Sequence, residues 1–201
     1  MLSLPCGVLF DGLAYGMLLF VLSVGLSVTL GLMNFVNLAH CAFAMLGGYV
    51  TVTLINQYHW PFLATLPAAF LAAAAASVVF ERILYRRLYR APDLDQVLLT
   101  IGIAFISVAV AAYIYGTLQQ PIETPAFLRG AIGVLGLSLG KYRLFLIAVA
   151  LIVTLALVGA LDYTRFGAKV RAAVDNQRMA RGLGIDVERT FAMTFALGSG
   201  L

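Results

Sequence analysis

Two stretches of the chain carry residues that can do more than pack. The first is residues 31–40, GLMNFVNLAH, where Asn34, Asn37 and His40 recur every third position between apolar runs. That spacing places all three on one side of a helical or 3₁₀ turn. Polar groups at membrane depth are costly unless they face protein or a water-filled cavity. Two readings of the stretch stand: an ordinary short loop between spans, or a broken helix whose polar groups line a path through a bilayer. The second stretch runs from Thr164 to Arg189. It is the longest polar run in the chain and holds Arg165, Lys169, Arg171, Arg178, Arg181 and Arg189. Lying between two strongly apolar segments, it reads as a loop between membrane spans.

The rest of the chain must hold these residues in place, and it is very apolar. Its 201 residues are 62% hydrophobic and 11% charged, with mean hydropathy +0.98. A soluble domain carries about 25% charged residues, so this chain has too little polar surface to cover a water-soluble globule. The fold class is therefore all-α: a polytopic helical membrane protein. A β-barrel needs alternating segments of about ten residues, whereas the apolar runs here are continuous and about twice that length. The net charge of +4 does not point to nucleic acid. No Lys or Arg precedes Arg82, and the later ones gather in a few loops, a topological pattern rather than a phosphate-binding face. Cys6 and Cys41 form no metal-ligand spacing and read as small apolar residues without a disulfide. The N-terminus lacks the basic region of a cleavable signal, so the first span acts as its own signal.

In chain order, 12–32 is the first span, with Gly12 and Gly16 as a GxxxG pair. A short apolar segment, 41–55, contains Gly47 and Gly48. Residues 56–60 form an interfacial turn with Tyr58 and Trp60 in the aromatic belt. The span 61–80 has a thin face at Ala72–Ala76. Residues 81–96 read as a basic loop with Arg82, Arg86, Arg87 and Arg90, stopped at Pro92, where Asp93 or Asp95 caps the next helix. The span 97–115 follows. Segment 116–143, with Pro121, Pro125 and glycines at 130, 133, 136 and 140, reads as a short hairpin or flap. The span 144–161 precedes the basic loop, and 190–201 is too short to cross. The expectation is one transmembrane domain of about five complete spans plus a truncated sixth, incomplete at its C-terminus, with a short external hairpin-like segment. The positive charges put 81–96 and 162–189 in the cytoplasm and the N-terminus outside.

The loop carries its own folding signals. Thr164 caps a helix to about Val174, and Asn176 caps a second one through Leu183, with Gly184 past its end. Asp186 caps the next span, with Glu188 in its first turn. Its small residues, Gly167, Ala168, Ala172, Ala173, Ala180 and Gly182, suit a groove in a soluble partner better than a lipid surface.

The pattern Gly167, Arg171, Ala172, Asn176, Ala180, Gly184, Ile185 resembles the cytoplasmic coupling loop of bacterial branched-chain amino-acid ABC permeases. The stretch 33–40 followed by Met45-Leu46-Gly47-Gly48-Tyr49 is similar to the N-terminal membrane motif of their LivH-type subunit. Cys41 departs from it, standing where the family usually has Gly, and such permeases continue for roughly another third of the chain. The resemblance implies an inner-membrane importer subunit that is not itself an enzyme and needs no cofactor or metal. It implies a second permease subunit, two cytoplasmic ATPase subunits, an external substrate-binding protein and surrounding membrane lipid as partners. By position it makes the seven loop residues the ATPase contact, and Asn34, Asn37 and His40 the translocation path. Independently, the expected span cores hold no Asp, Glu, Lys or Arg, and ion-coupled transporters usually place one there, so the energy comes from outside the membrane domain. A self-contained channel or facilitator for small polar solutes such as urea or amides is the alternative. An enzyme built on His40 and Cys41 lacks an acid–base partner nearby in sequence.

Overall fold

The structure, a computed structural model of the chain, describes residues 3–33, 37–88, 91–122, 125–134 and 137–201. Helix α1, Ser3–Met33, starts well before the expected first span. Its 31 residues are about 46 Å long, more than a ~30 Å hydrocarbon core needs. The Gly12–Gly16 pair packs against nothing: a Cβ at either position meets no atom within 4 Å. Helix α2, His40–Asn56, has 17 residues and a length of about 26 Å. Helix α3, Phe62–Phe80, runs on through a π-helical turn, Glu81–Tyr85, into the short α4, Arg86–Leu88.

Residues 81–88 thus continue the helix, and 93–96 already belong to the next one. The π turn widens the helix by one residue per turn and turns both Glu81 and Tyr85 inward, at 2% and 0% exposure. Glu81 is a buried acid just past the expected 61–80 span, where the helix runs on. Helix α5, Asp93–Tyr115, then starts directly after Pro92, which occupies the cap position without a side-chain cap. Asp93 and Asp95 are already inside its first turn, where they complement the helix dipole instead of capping. Gln96 closes the gap: its Nε2 donates to the carbonyls of Leu88 at 3.3 Å and Ala91 at 3.2 Å.

A 3₁₀ turn at Ala126–Leu128 leads into the antiparallel hairpin β1, Ala131–Val134, and β2, Leu137–Gly140, registered from Ala131 opposite Gly140 to Val134 opposite Leu137. Helix α6, Lys141–Asp162, follows at once. At its start Arg143 pairs with Asp11 of α1. Among the described residues four helical stretches are long and apolar enough to cross a membrane: α1, α3 with its π turn and α4, α5, and α6. The loop region folds as α7, Arg165–Asp175, and α8, Gln177–Gly182, and leads into α9, Val187–Gly200.

Helix α9, which looks like a stub in the sequence, is the most buried helix of the fold. Val187, Thr190, Phe191, Ala192, Thr194, Phe195, Gly198 and Ser199 are all buried. It packs against α1 and α3 and touches α2 and α7. Between apolar helices in lipid the hydrophobic effect does not distinguish contact from separation, so close van der Waals packing holds them. Two features supply it. Phe195 meets Phe43 edge-on at 6.0 Å and Tyr85 at 5.2 Å, while Phe43 meets Phe80 at 5.9 Å; such pairs contribute about 0.5–1.5 kcal/mol each. On the other side α1 and α9 cross at glycines: a Cβ on Gly25 would lie 2.5 Å from the Gly198 carbonyl, and one on Gly198 2.9 Å from the Gly25 carbonyl.

Gly25→Ala forces these backbones apart and should cost about 1–3 kcal/mol, as overpacking does. Gly47→Ala, whose Cβ meets Ala69 at an ordinary 3.8 Å, should be near neutral. Thermal unfolding of the two detergent-solubilised variants against the parent checks the difference.

Candidate functional site

The loop is built by its own caps. Thr164 Oγ1 accepts from the Gly167 amide at 3.3 Å and starts α7. Asn176 Oδ1 accepts from the Met179 amide at 3.0 Å and starts α8. Asp186 Oδ1 accepts from the Arg189 amide at 3.0 Å and starts α9. Helix α8 ends one residue earlier than the sequence suggests, with Gly184 at φ +79°. The Gly184 amide donates to Arg181 O and the Ile185 amide to Ala180 O, both at 3.0 Å. This pair of bonds is a Schellman closure, which satisfies two carbonyls at the helix end.

The seven residues of the loop pattern mostly shape the loop. Gly167 is buried, and a Cβ there would run into the Leu161 carbonyl at the end of α6. Arg171 donates to that same carbonyl and lies 3.6 Å from Asp162. Ala180 is 2% exposed and belongs, with Ala173, Val187, Phe191 and Phe195, to the core cluster that reaches Ala39 and Phe43 of α2. Ile185 packs against this cluster, and Ala172 is half-buried. Asn176 and Gly184 are exposed but spent on caps. Three of the small residues, Gly167, Ala173 and Ala180, therefore turn inward rather than toward a partner.

What the loop shows outward is different. Met179 and Leu183 are 64% and 75% exposed, with Val174 beside them at 39%. Arg178 and Arg181 flank Met179 in the chain and are exposed, as are Arg165 and Lys169 of α7. Sequence reasoning passed over these apolar residues. Their signal was weak, because single apolar side chains on a surface are normal and only exposed apolar residues grouped into a patch mark a contact. Behind the loop, Arg86 of α4 pairs with Glu188 of α9. Both side chains are about half exposed, so the pair fixes orientation more than it stabilises.

The second candidate group lies at the far end of α9. Asn34 falls outside the described residues. Asn37 and His40 are 1% and 5% exposed. Asn37 Oδ1 accepts from the Ala39 amide at 3.1 Å, a local turn that leads into α2. Its Nδ2, both ring nitrogens of His40 and Ser199 Oγ of α9 have no hydrogen-bonding partner among the described residues. The Leu22 backbone faces His40 without hydrogen-bonding geometry. The His40 ring sits at the glycine crossing, since a Cβ on Gly25 would lie 2.9 Å from it. Cys41, the next residue, is exposed and free. A separate, mainly apolar cleft of about 340 Å³ lies between α2, α3 and α5, walled by Phe43, Tyr49, Phe80, Ile103, Ser107 and Tyr115. The stacked rings of Tyr49 and Tyr115, 4.2 Å apart, close one end, and the Tyr115 hydroxyl is bonded to Thr53 at 2.8 Å. Among the described residues no group of His, Cys, Asp and Glu is arranged to hold a metal.

Apolar helices of spanning length around a buried core, joined on one face by a capped basic loop, define a polytopic helical membrane protein. The chain belongs to the family of branched-chain amino acid transport system permease components, which it matches over residues 8–201. It is 25% identical to the high-affinity branched-chain amino acid transport system permease protein BraD of Pseudomonas aeruginosa, over 96% of this chain and 66% of that protein. It is 28% identical to the probable branched-chain amino acid transport permease protein LivH of Methanocaldococcus jannaschii, over 96% of this chain and 62% of that one. To LivH of Escherichia coli K12 it is 24% identical, over 96% and 66%. The chain thus spans just under two thirds of the length of these relatives. No solved structure matches it.

Gly184→Ala places a side chain at positive φ and should loosen the end of α8 by about 1 kcal/mol. Gly182→Ala, in helical conformation with open space around its Cβ, should stabilise α8 by about 0.5–1 kcal/mol. Hydrogen exchange at the Ile185 amide reads both: faster in the first variant, slower in the second.

Proposed function

We propose that the chain is the membrane-spanning permease subunit of an ABC importer for branched-chain or related amino acids, and that it is not itself an enzyme. Its partners are a second permease subunit, two cytoplasmic ATPase subunits and an external binding protein. It sits in a bacterial inner membrane with its N-terminus outside and its basic loop in the cytoplasm. Family membership supports the transport class, and the charge asymmetry supports the orientation.

The observation that carries the reading is the construction of the loop. Caps, a Schellman closure and inward-facing small residues hold Met179 and Leu183 out on a capped platform, with exposed Arg178 and Arg181 flanking Met179 in the chain. Exposed apolar anchors flanked by Arg are what a protein groove rewards. The seven pattern residues, Gly167, Arg171, Ala172, Asn176, Ala180, Gly184 and Ile185, then act in ATPase coupling by holding the anchors in place. The platform is continuous with α9, because Asp186 caps that helix and Val187 joins the same core as Ala180. A push on the loop by an ATPase that closes on ATP is therefore delivered along α9 to the region of Asn37 and His40. Asn34, Asn37 and His40 line the path at that end.

The double substitution Met179→Asp with Leu183→Asp tests this. Two lost anchors should cut ATPase copurification and ATP-dependent leucine uptake by ~10-fold or more, since each ~1.4 kcal/mol of contact is worth a factor of ten. Membrane insertion should be unchanged. Undiminished copurification and uptake would sink the coupling reading. Leucine uptake into liposomes by the purified chain without ATP would favour a facilitator instead.

A further inference from the structure

The junction of α1, α2 and α9 brings together polar atoms that neither the loop nor the packing uses. Asn37 Nδ2, both ring nitrogens of His40 and Ser199 Oγ are buried without partners. Leaving such a group dry is costly, and α9 and the approach to α2 hold four such atoms. Together they offer one amide donor, one hydroxyl that donates or accepts, and an imidazole that donates at one nitrogen and accepts at the other when neutral. His40 and Ser199 come from different helices. The glycine crossing unites them, because the position of a Cβ on Gly25 lies 2.5 Å from the Gly198 carbonyl and 2.9 Å from the His40 ring.

The depth of the junction follows from helix geometry. Gly198 lies eleven residues beyond Val187, the first residue of α9, or about 17 Å along the axis. Gly25 lies eight residues before Met33, the last of α1, or about 12 Å from that end. Both distances measure from the loop side and place the junction near the middle of a ~30 Å hydrocarbon core. So α2 starts well inside the membrane rather than at its surface. Around the junction, residues 22–31 of α1, 37–48 of α2 and its approach, and 194–201 of α9 carry no Asp, Glu, Lys or Arg. Lipid cannot satisfy the four atoms, and no fixed charge is there to do it. What fits is water, or a small solute group rich in both donors and acceptors.

We infer that Ser199 joins Asn37 and His40 in a hydrated pocket that takes the zwitterionic head of an amino acid in transit. The Asn37 amide and the Ser199 hydroxyl donate to the carboxylate, and the free lone pair of the imidazole accepts from the ammonium. A set without formal charge binds such a head weakly, which suits a path that must release what it admits. The assignment of the solute rests on the transport reading above; the hydration of the pocket does not.

The test uses the full chain with Cys6→Ser and Cys41→Ser, reconstituted in liposomes, carrying a single new thiol as Ser199→Cys. The probe is 2-aminoethyl methanethiosulfonate: the thiolate attacks its sulfenyl sulfur, forming a mixed disulfide and releasing methanesulfinate, and because the thiolate forms where water reaches it the rate reports access to water. Ala150→Cys, at a position on α6 that is 3% exposed, is the dry reference. Labelling at 199 should be ~10-fold faster than at 150, and L-leucine should slow it several-fold while sucrose does not. His40→Cys provides a second reading of the same pocket should the first variant fail to insert. Labelling no faster than the reference at either position overturns the pocket. Fast labelling that leucine does not slow overturns the amino-acid head as its occupant. Failure of the Met179 and Leu183 test with leucine protection intact would remove the importer reading and leave the pocket standing.

Discussion

The fold depends on how closely α9 is held. Lipid tails are as apolar as the side chains that face them, so nothing in the bilayer drives a bare apolar helix inward. The attraction must come from contact at short range. Here it comes from a backbone-to-backbone crossing at Gly25 and Gly198 on one side and from the edge-on rings of Phe43, Tyr85 and Phe195 on the other. Remove the glycines and the backbones separate. Remove the rings and the π turn, α2 and α9 lose their common anchor.

That anchor ties the two functional regions into one body. Ala173, Ala180 and Val187 of the loop region share a single cluster with Phe191 and Phe195 of α9 and with Ala39 and Phe43 of α2. The loop is therefore not an appendage on a membrane bundle. It is the exposed end of the same core that, about 17 Å further along α9, meets the buried His40. A rigid lever of this kind is what would let chemistry outside the membrane act on a site inside it.

The loop pattern shows how regularly spaced residues can each have a structural task. A string of Gly, Arg, Ala and Asn at regular spacing suggests a contact surface. In three dimensions Gly167 admits the end of α6, Arg171 clamps that same end, Asn176 and Gly184 open and close α8, and Ala180 fills the core. The pattern specifies a shape, and the shape presents Met179 and Leu183.

The local features were legible because their causes are local. Hydropathy marked the long helices, each cap residue sits three positions from the amide it binds, and glycine at Gly184 announces a positive φ within its own turn. The hairpin at Ala131–Gly140 was legible for the same reason, from the glycines that disfavour helix there. Two features were not legible: the continuation of α3 through Glu81–Tyr85 and the burial of α9. Arg82, Arg86 and Arg87 read as a loop because their charge count is that of one, and only Tyr85 packing against Phe195 shows why the helix runs on. Twelve residues from Thr190 looked too short to matter because length measures crossing, not packing. Whether a segment is lipid-facing or central depends on which distant residues approach it, and Gly25 and Gly198 lie far apart in the chain. Periodicity could mark Asn37 and His40 as polar groups needing company; only the tertiary crossing of Gly25 and Gly198 brought His40 against α1 beside α9.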